Sequence, residues 1–366
     1  MIAAGPVRVL LCDDSAAARG VMSRMLATDP DIKVVAKAVD GGDALAQLTA
    51  MAAGDRPQVV LLDLEMPRMD GMTALPLLLK AAPGTAIIVA SALSQRGATA
   101  TMAALRAGAV DYVPKPSASA GGMSGGQFQA ELLAKIKGWA RMRRAPSSSA
   151  TGTSRLPVAR PLMAERAGGP VVRPRAIAIG SSTGGPQALA TLVARLDRPL
   201  AVPVIVVQHM PAGFTTLLAD HLNRIGTLPC SEAKEGEKLL PGRLYIAPGD
   251  KHLLIKDVAG TLIAHLGDGP PENFCRPAVD PMLRSLVAAC QGKLLVAILT
   301  GMGSDGLAGC RSVSSAGGSV LAQDEATSVV WGMPGAVAKA GIASAILNIE
   351  DIAGRILVAG ADGKRT

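Results

Sequence analysis

The sequence predicts an α/β protein of two domains in series, each built on a largely parallel sheet. Three observations carry this. The chain has 366 residues, enough for roughly two domains of about 100 to 200 residues each. Short β-rich apolar runs alternate with helix-forming stretches, which is the pattern of βαβ units. That alternation is broken once, by a stretch over 141–174 rich in Pro, Ser, Gly and Arg, and then starts afresh. The expected bounds are 6–140 for the first domain, 141–174 for a basic linker and 175–362 for the second domain.

In the first domain VRVLL (7–11) reads as a strand, followed by a helix over about 16–28. KVVAKA (33–38) and QVVLL (58–62) are the second and third strands, with a helix over about 42–53 between them. AIIVA (86–90) and AVDYV (109–113) supply the fourth and fifth, and QFQAELLAKIKGWARM (127–142) forms a closing helix. A parallel sheet buried on both faces binds ligands beyond the carboxyl ends of its strands. Those ends carry Asp13 and Asp14 after the first strand, Asp63 after the third, Ser91 after the fourth and Lys115, followed by Pro116, after the fifth.

Any one of these aspartates alone reads as a turn or N-cap residue. Together they describe something more specific. Converging carboxylates repel one another unless a hard cation sits among them, and an oxygen cluster with room for water suits Mg²⁺. A carboxylate so placed can attack phosphorus to give an acyl phosphate, with the lysine and the serine holding the new phosphoryl group.

The second domain opens with AIAIG (176–180), a strand running into a Gly-rich turn and then a helix. Gly180-Ser181-Ser182-Thr183-Gly184 satisfies G-x-S-x-G, in which small neighbours let a serine sit exposed on a tight strand-to-helix turn. The turn lacks the spacing of a dinucleotide-binding loop and the Gly-Lys-Ser/Thr of a P-loop. In a chain with 41 glycines the pattern alone is weak, so Ser182 as a nucleophile needs a base and an orienting acid.

There are four histidines. His209 directly follows the strand AVPVIVVQ (201–208) and so shares the carboxyl-end rim with Ser182, whereas His221, His252 and His265 read as structural. A third strand, KLLVAILT (293–300), ends in GMGSDG and brings Asp305 to the same rim, although Asp305 standing alone would read as a turn residue. Serine, histidine and aspartate at three strand ends match the needs of acyl transfer: attack by oxygen, proton transfer by imidazole, and a carboxylate fixing the tautomer. The Met302 N–H in the Gly301-Met302-Gly303 turn, with Thr183, is placed to serve an oxyanion. The chain order Ser, His, Asp differs from the Ser, Asp, His order of α/β-hydrolases, so this would be the same constellation on another topology.

Composition narrows the classes further. Hydrophobic residues at 49% against 18% charged exclude wholesale disorder. The net charge of +8 suggests an anionic partner until it is located. Residues 1–140 hold 13 basic against 12 acidic residues, 141–175 hold 8 against 1, and 176–366 hold 16 against 16. The excess therefore belongs to the linker, where it reads as an attraction to acidic surfaces rather than as a nucleic-acid site. Only seven aromatics occur, too few for the stacking platforms of single-strand or sugar binders. The five cysteines, odd in number and without a C-x-x-C, read as buried thiols in a reducing compartment. No run of 18 apolar residues occurs, and Asp13 and Asp14 come too early for a signal peptide, so a cytoplasmic protein that is not membrane-embedded is expected.

LLCDDS, LLDLEMPRMDG and VDYVPKP resemble the receiver domain of bacterial response regulators, a flavodoxin-like fold with a five-stranded parallel sheet. The resemblance implies that Asp63 is phosphorylated, that Asp13 and Asp14 join it as Mg²⁺ ligands, that Lys115 and Ser91 contact the phosphoryl group, and that Tyr112 changes rotamer when Ser91 engages. IGSSTGG, VVQHMPAGFT, EGEKLLPGRLYIAPGDKHL, DGPPENFCRPAVDPML, ILTGMGSDG and QDEATSVVWGMP resemble the catalytic domain of the chemotaxis protein-glutamate methylesterases, the CheB family. That family commonly has Ala at the position of Ser181. The second resemblance implies a doubly wound α/β hydrolase removing methyl esters from chemoreceptor glutamates and often deamidating selected glutamines. It implies Ser182 as nucleophile, His209 as general base and acid, Asp305 as orienter, and Met302 with Thr183 at the oxyanion, with no cofactor for hydrolysis. Chemoreceptors are then the substrate and a chemotaxis histidine kinase the phosphodonor. An acyl phosphate at Asp63 would shift an equilibrium between a form with the Ser182 rim covered by the receiver and an open one.

Two rival classes are distinguishable by experiment. A phospho-regulated binding module without catalysis would leave Ser182 unlabelled by serine-directed reagents. A DNA-binding regulator would hold random duplex at physiological salt, but no basic recognition helix is visible and no nucleic-acid partner is expected.

Overall fold

The computed structural model describes residues 5–92, 94–115, 125–144 and 173–361, which divide into two compact units at Arg144/Ala145. Pro116, most of the expected linker (145–172) and the residues from 362 onward lie outside the described residues.

The first unit runs β1 (Val7–Cys12), α1 (Ala16–Ala27), β2 (Ile32–Ala38), α2 (Gly41–Ala50), β3 (Val59–Asp63), α3 (Gly71–Ala81), β4 (Ala86–Ser91), α4 (Gln95–Arg106), β5 (Asp111–Pro114) and α5 (Gly125–Arg144). The strands form one parallel sheet in the order β2-β1-β3-β4-β5. β3 and β4 are buried at every position, which explains their unbroken apolar runs: helices cover both faces. Helix starts follow capping chemistry. Ser15, Asp40, Asp70 and Ser94 each accept a backbone N–H three residues on, opening α1, α2, α3 and α4. The chain reverses direction across the sheet between β1 and β3, so the crevice opens where Asp13 and Asp63 emerge. The expected domain end at 140 falls inside α5, which runs on to Arg144, where basic residues suit the carboxyl end of a helix.

The second unit runs β6 (Ala176–Ser181), α6 (Gly185–Arg195), β7 (Val204–Gln208), α7 (Phe214–Ile225), β8 (Cys230–Glu232), β9 (Leu244–Ile246), β10 (His252–Val258), β11 (Thr261–Gly267), α8 (Val279–Cys290), β12 (Leu294–Ile298), α9 (Leu307–Ser315), β13 (Ser319–Gln323), α10 (Met333–Lys339), β14 (Ala345–Leu347) and α11 (Ile349–Ala359). Seven strands make a parallel sheet, β14-β13-β12-β6-β7-β9-β8, and β10 with β11 forms a separate antiparallel hairpin. The chain enters at β6, moves outward through β7, and returns on the other side of β6 at β12. That return is a topological switch point, the place where an open α/β sheet offers a crevice beyond its strand ends. One face of the sheet, the hairpin and α8 share a core that includes Ile205, Tyr245, Leu253, Val279, Leu283 and Ile298.

Candidate active site

Ser182 is the first residue beyond β6, and His209 the first beyond β7. The two strands pair in register through Ser181 and Gln208, so the serine and the histidine leave the sheet side by side. The backbone of Ser182 is fixed: its N–H donates to Thr300 O at 3.0 Å, and its carbonyl accepts from Gly185 N at 2.8 Å and Gln208 Nε2 at 2.9 Å. Two glycines make the turn possible. Gly184 sits at φ +74°, the left-handed region, where a Cβ would also fall 2.5 Å from Val329 Cγ2. Gly301 packs so closely that a Cβ there would lie 2.9 Å from Ser182 Cβ.

Of the two adjacent serines, only Ser182 has any exposure. Ser181 is fully buried and its hydroxyl donates to Gln208 Oε1 at 2.7 Å.

His209 and Asp305 meet directly, His209 Nε2 lying 2.8 Å from Asp305 Oδ2. Asp305 is almost fully buried and heavily solvated by the protein. Oδ2 also accepts Val279 N at 2.6 Å, while Oδ1 accepts Asp280 N at 3.1 Å, Gly306 N at 2.9 Å and Asn273 Nδ2 at 2.9 Å. Val279 and Asp280 are the first residues of α8, so the carboxylate sits on the positive end of that helix. Burial alone would raise its pKa; the hydrogen bond and charge of His209, helped by these N–H groups, hold it below the usual carboxylate range.

On its other side the ring faces a thiol: Cys275 Sγ is 3.3 Å from His209 Nδ1. Burial opposes the charged ring, but the Cys275 sulfur and the Asp305 carboxylate outweigh it and push the imidazole up to about 10. Among the described residues no hydrogen bond joins Ser182 Oγ to His209, so the structure brings the histidine and aspartate together and leaves the serine beside them. The reading of all five cysteines as buried thiols is corrected here. None is disulfide-bonded, and Cys12, Cys230, Cys290 and Cys310 are buried, but Cys275 is half-buried against the candidate base.

Cys275 is held by a tight turn. Its N–H donates to Glu272 O at 2.9 Å and Glu272 N returns a bond to Cys275 O at 3.1 Å, with Asn273 at φ +51° and Phe274 at φ +63° between them. A bulky residue in that region costs about 1 to 2 kcal/mol. The Asn273 amide offsets it by donating to both Asp305 and Asp280 (3.0 Å). Asp280 also accepts Gly309 N at 2.6 Å; burial, and the neighbouring Asp305 after it, raise its pKa. Gln208, Asn273, Cys275 and Asp280 were not singled out from the sequence as site residues. Gln208 carried a positional signal as the last strand residue before His209, and Asn273, Cys275 and Asp280 lie within DGPPENFCRPAVDPML, where no role was assigned to them.

Of the expected oxyanion groups, the Met302 N–H is bonded to no backbone carbonyl among the described residues, and Met302 is partly exposed. The buried Thr183 hydroxyl has no hydrogen-bond partner among the described residues, while its carbonyl accepts Thr300 Oγ1 at 2.9 Å. His252 and His265 bond away from the site. His252 links Pro270 O to Ala278 N, at 3.0 and 3.2 Å, and His265 lies 2.9 Å from Glu235 Oε1.

In the first unit, ligand atoms of Asp13, Asp14 and Asp63 lie within 4.8 Å of one another. Three carboxylates with one of them exposed fit a hard divalent cation that keeps part of its water. Asp63 is buried to 1% exposure and ion-paired to Lys115 Nζ at 2.5 Å, with Asp13 at 3.5 Å from the same ammonium. Burial raises the Asp63 pKa in spite of Lys115. The Ser91 hydroxyl donates to Gly97 O at 3.0 Å. Tyr112 is buried with Lys135 Nζ 4.9 Å from its ring centre, and the same ammonium bonds Tyr112 O at 2.5 Å and pairs with Asp111 and Glu131. Lys135 thus ties α5 to the end of β5, a link the sequence did not signal.

Two family models match the chain, CheB methylesterase over residues 177–356 and response regulator receiver domain over 9–122. A protein-glutamate methylesterase/protein-glutamine glutaminase of Azospirillum brasilense is 49% identical over 363 residues, covering 95% of this chain and 91% of that one. A protein of the same name from Maricaulis maris is 45% identical over 380 residues, covering 94% and 93%. The crystal structure of the Thermotoga maritima CheB methylesterase catalytic domain is similar to half of this chain, with 40% identity, a TM-score of 0.50 and 98% of that domain covered. With identity of this depth along nearly its whole length, the chain belongs to the CheB family of protein-glutamate methylesterases that carry a response regulator receiver domain.

Proposed function

We propose that this protein hydrolyses methyl esters on glutamate side chains of chemoreceptors, and deamidates selected glutamines there, through Ser182, His209 and Asp305. The observation that carries the reading is the 2.8 Å bond between His209 Nε2 and the protein-solvated Asp305, on the rim where Ser182 emerges. Asp305 accepts only, so it fixes Nε2 as the protonated nitrogen and leaves Nδ1 to take the Ser182 proton. Ser182 Oγ then attacks the ester carbonyl, and the Met302 N–H and the Thr183 hydroxyl, which has no other partner among the described residues, would donate to the developing oxyanion. His209 returns its proton to the leaving methoxide, releasing methanol, and next activates water to free the glutamate from Ser182. With a glutamine the leaving group is ammonia and the remaining steps are the same.

The regulatory half of the proposal rests on Asp63, whose carboxylate would accept a phosphoryl group from a chemotaxis histidine kinase. Lys115, already on Asp63, neutralises the charge that arrives. Ser91 would leave Gly97 O to donate to the phosphoryl group, and Tyr112 would follow it. Asp13, Asp14 and Asp63 would hold Mg²⁺, which would supply charge neutralisation for that transfer. The site for hydrolysis needs no metal in this scheme. Among the described residues no helix is long and apolar enough to cross a membrane; a cytoplasmic location is part of the proposal. The test is methanol release from methylated receptor by the full chain with and without a small-molecule phosphodonor, which should raise the rate. A phosphodonor without effect would refute the regulatory reading.

A further inference from the structure

Nδ1 of His209 has one in-plane direction in which to form a hydrogen bond. In this structure that direction is taken by Cys275 Sγ, at 3.3 Å, and no hydrogen bond reaches His209 from Ser182 among the described residues. The sulfur is not there by accident of a loose loop. The turn that carries it is closed by two backbone hydrogen bonds, Glu272 to Cys275 and back. Asn273, two residues earlier, donates to Asp305 and Asp280 together, so the turn is keyed to the same carboxylate that orients the ring. Glu272 is further tied to Arg284 of α8 at 2.5 Å.

We propose that Cys275 is a positioning residue for hydrolysis: its sulfur accepts the Nδ1–H of His209, holds the ring in its protonated form, and withholds that nitrogen from Ser182. This rests on the reading of His209 as general base. The ring is then bracketed, with Asp305 taking Nε2–H and Cys275 taking Nδ1–H. The direction in which these two neighbours move the histidine agrees. The titratable and charged groups around the ring are Cys275 from the turn and Asp305 from the loop before α9. Behind Asp305 stand Asp280 and Arg284 of α8, the latter paired with Glu272. Ser182 attack requires that Nδ1 lose its proton and turn from sulfur to hydroxyl oxygen, so the thiol sets how much of the enzyme is ready at a given pH.

The test is a titration of the His209 ring, followed by ¹⁵N NMR in the full chain carrying Ser182→Ala, with Cys275 intact, as Cys275→Ser and as Cys275→Ala. Replacing the sulfur should lower the midpoint by about one to three pH units, the effect of removing a neighbour that favours the charged form. The acid limb of the pH–rate profile for methyl ester hydrolysis should move down by the same amount when Ser182 is present. A midpoint that stays or rises overturns the proposal, as does a midpoint that falls while the pH–rate limb stays. Should both cysteine variants fail to fold, the unsubstituted chain decides, because a midpoint near the ordinary value of about 6.5 contradicts the bracketing. The reading of His209 as general base fails by a separate sign, methyl ester hydrolysis that survives His209→Gln with Ser182 present, and that result leaves the ring titration of the Ser182→Ala chain readable.

Discussion

The side chains of Ser181 and Gln208 meet across the paired ends of β6 and β7, Ser181 Oγ donating to Gln208 Oε1 at 2.7 Å. That bond decides between two neighbouring hydroxyls. Ser181 is committed and fully buried, and Gln208 spends its amide on the carbonyl of Ser182. Ser181→Ala should therefore cost one neutral hydrogen bond, about 0.5 to 1.5 kcal/mol, and keep methanol release within about tenfold of the parent. Denaturant unfolding and initial rates on methylated receptor check both parts, and loss of all release would make Ser181 part of the mechanism.

Asn273 should matter far more than its exposed turn suggests. Its amide bonds two buried carboxylates, Asp280 and Asp305, and hydrogen bonds to charged groups are worth about 1.5 to 3 kcal/mol. Asn273→Ala is expected to lower kcat by about tenfold or more with little change in KM, because it loosens Asp305 and leaves the Ser182 rim intact. Steady-state kinetics that show a KM effect alone would contradict this role.

The pH dependence has a definite sign. His209 acts as a base only when neutral, and its neighbours push it up to about 10. The neutral fraction, and with it the rate, should rise about tenfold per pH unit from 7 to 9. A rate already level at pH 7 would show that the ring titrates lower than its surroundings imply.

Stimulation by a phosphodonor should require Asp63 and a divalent cation. Asp63→Ala is expected to remove it, and so is chelation of Mg²⁺, since Asp13, Asp14 and Asp63 then face one another with the Lys115 ammonium in place of the divalent ion. Phosphodonor titrations with and without chelator, followed by methanol release, measure this directly.

The parts legible in the sequence were those with local signatures. Strands such as Val59–Asp63 and Val204–Gln208 announce themselves as apolar runs because helices bury both faces. Asp13, Asp63 and Lys115 were legible because each directly ends a strand of one sheet. Asn273, Cys275 and Asp280 were not, since they reach His209 and Asp305 from a turn and from α8, 66 and 32 residues or fewer away in sequence and without a shared periodicity. The extension of α5 to Arg144 was missed for another reason: arginines compose a linker as readily as the basic end of a helix.

Attack of Ser182 on the ester is the step on which the proposed hydrolysis depends. The most direct measurement is methanol release from methylated chemoreceptor by the full chain and by its Ser182→Ala variant, assayed at alkaline pH with phosphodonor and Mg²⁺ present. Release is expected from the parent, and none above the uncatalysed rate from the variant. Release by Ser182→Ala at a rate comparable to the parent would contradict it.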